Sequence, residues 1–148
     1  MERINENTNL KAAYSKRVER TSTFKMNPFP EREHSETLEQ GDPELKPEFT
    51  DLAELRINKK TKRGNSVFLT GYYRSVKNVV NRVNTIYNDT ILNRIYSNVG
   101  DAKAFGLELG AYLKPTENWS NFIGTNIYDY KIEGEFENRQ INTKTFLV

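Results

Sequence analysis

Glu54, Arg56 and Glu108 are the first candidates for chemistry, because two carboxylates with a cation nearby can share acid–base work. Such work needs a defined separation and shifted pKa values. The spacing of Glu54 and Glu108 fixes neither, and charges that pair with each other or with a facing domain explain them more simply. An enzyme is not expected. His34 is the only histidine and sits in the charged stretch 31–36. A metal site needs several suitable ligands converging on one point, so His34 reads as a solvated loop residue. There are no cysteines, which excludes disulfide and thiolate-metal frameworks. No glycine-rich phosphate loop or nucleophile elbow occurs. No cofactor is expected. Phe24, Phe29, Arg32, Tyr87, Arg94 and Tyr96 are loop residues able to touch a ligand, but none is singled out as binding one.

The elements that carry these residues alternate. From Phe105 to Leu113 the odd positions are Phe105, Leu107, Leu109, Ala111 and Leu113. The intervening positions are Gly106, Glu108, Gly110 and Tyr112. Strand side chains alternate between faces, so one face is continuously apolar. Its length matches the ~9–11 residues with which a tilted strand crosses a bilayer. A soluble half-buried strand shows the same alternation, but usually over ~5–6 residues. The pattern recurs. Val67, Leu69, Gly71 and Tyr73 oppose Phe68, Thr70, Tyr72 and Arg74. Ala53, Leu55 and Ile57 oppose Glu54, Arg56 and Asn58. Leu10, Ala12 and Tyr14 oppose Lys11, Ala13 and Ser15. In the run after Trp119, Ile123 and Ile127 share a face with Asn121, Thr125 and Asp129, and either face could be the outward one.

These patterns predict strands over Leu10–Val18, Phe49–Lys59, Ser66 to beyond Val76, Ala104–Lys114, Trp119 to about Ile132, and Arg139–Val148. Met1–Glu6 reads as a turn. The segment from Arg20 to Glu48 holds four of the five prolines and reads as a long polar loop. Asn88–Asp89 reads as a hairpin tip that extends the third and fourth strands past the apolar band. Connections thus alternate short and long, as in outer-membrane barrels. Trp119 and Tyr72–Tyr73 fall where aromatic girdles sit.

Composition agrees. The chain has 148 residues, of which 36% are hydrophobic, and its mean hydropathy is −0.78. That is lean for a compact soluble core. The net charge of +2 arises from interspersed acids and bases, so nucleic-acid binding is not expected. The run Lys59–Lys60–Thr61–Lys62–Arg63 reads as a solvated turn. No apolar run reaches the ~18 residues of a membrane helix, and no signal segment is evident.

The segments Tyr14–Arg20, Asn27–Pro28–Phe29, Gly41–Glu48, Tyr72–Tyr73–Arg74 and Gly106–Leu109, taken in order, resemble the barrel of bacterial TonB-dependent outer-membrane receptors of the Bacteroidetes type. Thr21 departs from that pattern, since a proline often stands after the matching arginine. The resemblance implies a 22-stranded barrel, a plug domain, a signal peptide and a segment engaging the TonB energy-transducing protein. The expectation is therefore an all-β antiparallel meander of about six strands. It would be an open fragment of that barrel, one partial domain over residues 1–148 lacking the plug, signal peptide and remaining strands. Glu54, Arg56, Tyr72, Arg74, Glu108 and Tyr112 are expected to face the lumen. Leu55, Ile57, Val67, Leu69, Phe105, Leu107, Leu109 and Leu113 are expected to face outer-membrane lipid. The implied role is energy-coupled uptake of a scarce nutrient: a siderophore, metal complex, glycan or peptide. A soluble β-sheet binding module and a fragment of a passive pore are the alternatives.

Overall fold

Repeated period-2 patterning with hairpin-length turns builds one large sheet. The computed structural model describes residues 2–5, 7–34, 36–61, 64–88, 91–136 and 139–147. Its strands are β1 (Glu2–Asn5), β2 (Thr8–Glu19), β3 (Glu31–His34), β4 (Thr37–Gln40), β5 (Glu48–Lys60), β6 (Ser66–Asn88), β7 (Ile91–Thr116), β8 (Trp119–Phe136) and β9 (Arg139–Leu147). A 3-10 turn covers Phe24–Met26. The order β1-β2-β5-β6-β7-β8-β9 is an antiparallel meander, and each neighbour pair is joined by hydrogen bonds. All six expected strands are present.

Three expectations need correction. Residues 2–5 form β1, paired with β2, rather than a turn. The segment 20–48 is not structureless: it folds into the β3–β4 hairpin. That hairpin breaks the wholly antiparallel pattern, because β4 pairs parallel with β7 through Thr37↔Leu92 to Gln40↔Ile95. The physical reason lies in β7. It is 26 residues long, roughly 85 Å at ~3.3 Å per residue. β8 covers only its Asp101–Thr116 stretch, so the upper edge of β7 offers bare donors and acceptors, and β4 fills four of those positions. Four residues bounded by prolines are too few to signal a strand by alternation.

Turns close one end of the sheet tightly. Asn65 accepts from the Thr61 N–H at 2.8 Å through its carbonyl. Its side-chain oxygen accepts from the Lys114 N–H at 2.6 Å, tying two neighbouring strand ends together. Gly64 sits at φ 78°, a conformation that a Cβ disfavours. Lys62 and Arg63 of the basic run, and Asp89 at the expected hairpin tip, lie outside the described residues. The tip is nonetheless framed by Asn88↔Ile91 pairing. Near the opposite end, the β6–β7 register shifts between Val76 and Val79, where Asn78 adopts φ 57°. Above this bulge the two strands continue as a ribbon.

The sheet has no second layer across most of its area. The accessible surface is 11099 Å², against about 7,800 Å² for a compact monomer of this mass. Among the described residues no large side chain is fully buried. The buried apolar residues include Leu45, Val76, Val99, Ala102 and Ala104, and the 46–48 stretch is hydrogen-bonded to Asn78, Val80 and Asn98 nearby. Among the described residues, no helix is long and apolar enough to cross a membrane.

Candidate functional site

Register carries residues from distant parts of the chain into rows on one face. Lys11, Arg56, Thr70, Glu108 and Asn126 are successive cross-strand partners on β2, β5, β6, β7 and β8. The next row is Ala13, Glu54, Tyr72, Gly106 and Tyr128, and the next is Ser15, Leu52, Arg74, Ala104 and Tyr130. Tyr112 lies in a lower row between Ser66 and Phe122. All six polar candidates therefore share a face. Glu54 and Glu108 sit on β5 and β7 with β6 between them and one row apart, roughly 12 Å from each other at ~4.8 Å per strand spacing and ~3.3 Å per residue.

The middle of this face is a shallow concavity lined by Lys11, Ala13, Glu54, Arg56, Thr70 and Glu108. None of its four charged residues joins an ion pair. The Arg56 guanidinium instead lies over the Phe68 ring, 3.9 Å from its centroid, a favourable contact with the ring's negative face. Phe68 stacks on Phe122 with centroids 6.2 Å apart. Both rings lean across Gly110, where an added Cβ would stand 2.3 Å from Phe68 Cζ. Tyr72 covers Gly106 in the same way, and its hydroxyl donates to Asn126 Oδ1 at 3.3 Å. Thr70, only 5% exposed, keeps its Oγ1 without a partner. The two glycines make room for aromatics that bridge neighbouring strands.

The opposite face is apolar. Its rows are Leu10, Ile57, Leu69, Leu109; then Ala12, Leu55, Gly71, Leu107, Ile127; then Tyr14, Ala53, Tyr73, Phe105, Asp129, Phe146. Val67 and Leu113 complete the eight apolar candidates on that face, which also carries Ile123, Asn121 and Thr125. Leu107 and Leu109 remain 46% and 48% exposed, not enclosed in a core. Tyr73 and Trp119 are exposed, whereas Tyr72, its neighbour in the expected girdle, points to the polar face.

A second constellation sits where the 20–48 segment meets β6 and β7. Tyr96, only 8% exposed, donates to Glu39 Oε1 at 2.7 Å. Glu39 also pairs with Arg82 at 3.5 Å. Lys25 and Arg82 lie near the Tyr96 ring, and Phe24 meets it edge-on. Tyr96 is thus a packing hub rather than an open contact. Asn27 Oδ1 accepts from the Phe29 N–H at 3.2 Å. Gly41 packs so closely on Lys25 and Asn27 backbone that a Cβ would stand 2.5 Å from the Lys25 carbonyl oxygen. Phe24, Phe29 and Arg32 remain exposed, and Arg94 is partly covered with its interactions engaged. The side chains of His34 and Tyr87 lie outside the described residues. Among the described residues no group of three or more His, Cys, Asp or Glu is placed to hold a metal.

An exposed apolar face backed by a charged one, in a meander with tight turns at one end, is the layout of a barrel wall. The whole chain, residues 1–148, matches the model of the outer membrane protein beta-barrel family. The chain belongs to that family. Its fold is also similar to the crystal structure of the siderophore receptor PirA from Pseudomonas aeruginosa, with a TM-score of 0.70 and 16% identity. The likeness covers 98% of this chain and 32% of the receptor, so the chain spans about a third of that receptor's length. No curated protein matches the chain.

Within this outer-membrane β-barrel, several residues escaped the sequence reading. Lys11, Phe68, Thr70, Phe122 and Asn126 join the polar face only through register over as many as 54 residues. Alternation placed Lys11, Phe68 and Thr70 on the right side of their strands, but for Phe122 and Asn126 on β8 it left either face open. Nothing in it said which row they enter. Asn98 was likewise silent: its partners come from the loop and the bulge.

Proposed function

We propose that this chain forms part of the wall of a TonB-dependent receptor that takes up a scarce nutrient across the outer membrane. The observation that carries the reading is the shared register of three neighbouring strands, β5, β6 and β7. It gathers Leu55, Ile57, Val67, Leu69, Phe105, Leu107, Leu109 and Leu113 on one face and Glu54, Arg56, Tyr72, Arg74, Glu108 and Tyr112 on the other. The first set faces lipid and the second faces the lumen. Charges are tolerated in a water-filled or plugged lumen and costly on the lipid side.

The open sheet supports a partial wall. β9 and the upper part of β2 each have one unpaired edge. In hydrocarbon every unpaired backbone group costs several kcal/mol, and only closure removes edges. The remaining wall, the plug and the TonB contact belong to the rest of the receptor. The likeness to a siderophore receptor makes a siderophore one candidate nutrient, beside metal complexes, glycans and peptides. Unpaired Lys11, Glu54, Arg56 and Glu108 suit a transport path or a plug surface better than a reaction centre, so the role is transport rather than catalysis.

The test is growth of cells carrying the full-length protein on single limiting nutrients of these classes, with and without TonB. Growth that requires both the receptor and TonB supports the reading. Uptake indifferent to TonB contradicts it and points to a passive pore.

A further inference from the structure

Directly above the aromatic row Tyr14, Tyr73, Phe105 and Phe146, the apolar face ends in a row of different chemistry. Its members are Lys16, Asp51, Ser75, Lys103, Lys131 and Lys144, on six successive strands. Lys103, Lys131 and Lys144 are direct cross-strand partners. Side chains so placed stand about 5 Å apart at Cβ, and like charges there are destabilising. Lys77, exposed on the same face, lies opposite Phe49 just above this row.

With Lys77 the face carries five lysines near this boundary, and the four carboxylates beside them leave one positive charge in excess. Those carboxylates are Asp51, Asp101, Asp129 and Glu133. Asp51 accepts the Tyr14 hydroxyl at 2.5 Å, and Asp101 accepts the Asn78 N–H at 3.1 Å. Asp129 pairs with Lys144 at 3.5 Å, and Glu133 pairs with Lys131. Lys16, Lys77 and Lys103 are left without an ion pair.

We infer that this lysine row is a binding site for anionic lipid phosphates at the membrane surface. Lysine stems lie along apolar surface while their ammonium groups reach the polar layer. An aromatic row immediately below marks the same boundary. Phosphates seated between Lys103, Lys131 and Lys144 would add counter-charge to three neighbouring lysines, of which Lys131 and Lys144 already hold one carboxylate each. This inference rests on the assignment of the apolar face to lipid.

The test uses the full-length protein, purified from outer membranes and placed in nanodiscs. One set holds phosphatidylethanolamine alone, the other an equal mixture with phosphatidylglycerol. Phosphatidylglycerol should raise the Tm of the wild type and remain bound preferentially in native mass spectrometry. Replacing Lys103 by Gln should reduce that preference roughly fivefold, from about 1 kcal/mol per basic residue near an anionic surface. The triple variant Lys103→Gln, Lys131→Gln, Lys144→Gln should lose the Tm shift, and the triple Arg variant should keep it. Lys46→Gln, on the loop, should change nothing. Equal Tm shifts in the wild type and the triple Gln variant would overturn the proposal. So would a matching shift from inorganic phosphate in discs of phosphatidylethanolamine alone. Should the triple Gln variant not fold, the single Lys103→Gln comparison decides alone. A wild-type protein that never enters the discs would refute the membrane assignment itself, a result separate from normal insertion without lipid preference.

Discussion

The side-chain amide of Asn98 pairs with the peptide unit of Lys46 as a neighbouring strand would. Its Oδ1 accepts from the Lys46 N–H at 2.9 Å, and its Nδ2 donates to the Lys46 carbonyl at 3.1 Å. The same Nδ2 also donates to the Asn78 carbonyl at 2.8 Å. Around this clamp, Glu48 Oε1 accepts from the Val80 N–H at 2.5 Å, and Asn78 Nδ2 donates to the Pro47 carbonyl at 3.3 Å. One loop is thereby fastened to the bulge from which the β6–β7 ribbon rises.

Asn98→Ala should therefore release the loop while leaving the wall intact. Loss of these bonds should cost about 1–3 kcal/mol locally, because the freed backbone groups of Lys46 and Asn78 lose their partner. Limited proteolysis of intact cells checks this: the variant should be cut faster within residues 20–47, with barrel stability unchanged.

The β3–β4 hairpin depends on a second latch. Tyr96→Phe removes the hydroxyl bonded to Glu39, a charge-assisted hydrogen bond worth about 1.5–3 kcal/mol. Amide exchange over residues 37–40 should accelerate in the variant, while exchange over 105–113 stays slow.

On the polar face, Gly110→Ala should be destabilising by about 1–3 kcal/mol through overpacking against Phe68. The double variant with Phe68→Leu should recover part of that loss, because the ring that the new methyl strikes is gone. Thermal unfolding of the detergent-solubilised protein gives both values.

Much of this architecture was legible in the residues. Phe105 through Leu113 announce a two-faced strand by alternation alone, and Glu108 follows onto the polar side automatically. Such alternation says nothing about register. The meeting of Tyr72 with Asn126, or of Lys103 with Lys131 and Lys144, depends on turns that set how far each strand slides. It also missed β4, whose strand character is borrowed from the bare edge of β7 rather than encoded in Thr37–Gln40. Tyr96 reads as a possible ligand contact because the sequence makes it a loop aromatic, yet Phe24, Lys25, Glu39 and Arg82 converge on it from two other segments.

Adding a charge to one face and removing one from the other tests the cost of each. Leu107→Arg should impair assembly by about 2–4 kcal/mol, the range for a basic residue at mid-depth on the lipid side of a barrel. Glu108→Gln, one position along, should assemble normally. Heat-modifiable migration of outer-membrane extracts on gels distinguishes folded from unfolded protein for both.

The central claim is that Leu107 meets lipid and Glu108 meets water. The chain contains no cysteine, so single substitutions Leu107→Cys and Glu108→Cys, made in the full-length protein with any cysteine outside these residues replaced, can be probed in native outer membranes. A small charged maleimide should label Cys at position 108 and spare position 107, whereas a lipid-soluble maleimide should label 107. Equal labelling of both positions by the charged reagent, or protection of both in a soluble, monodisperse protein, would contradict the account.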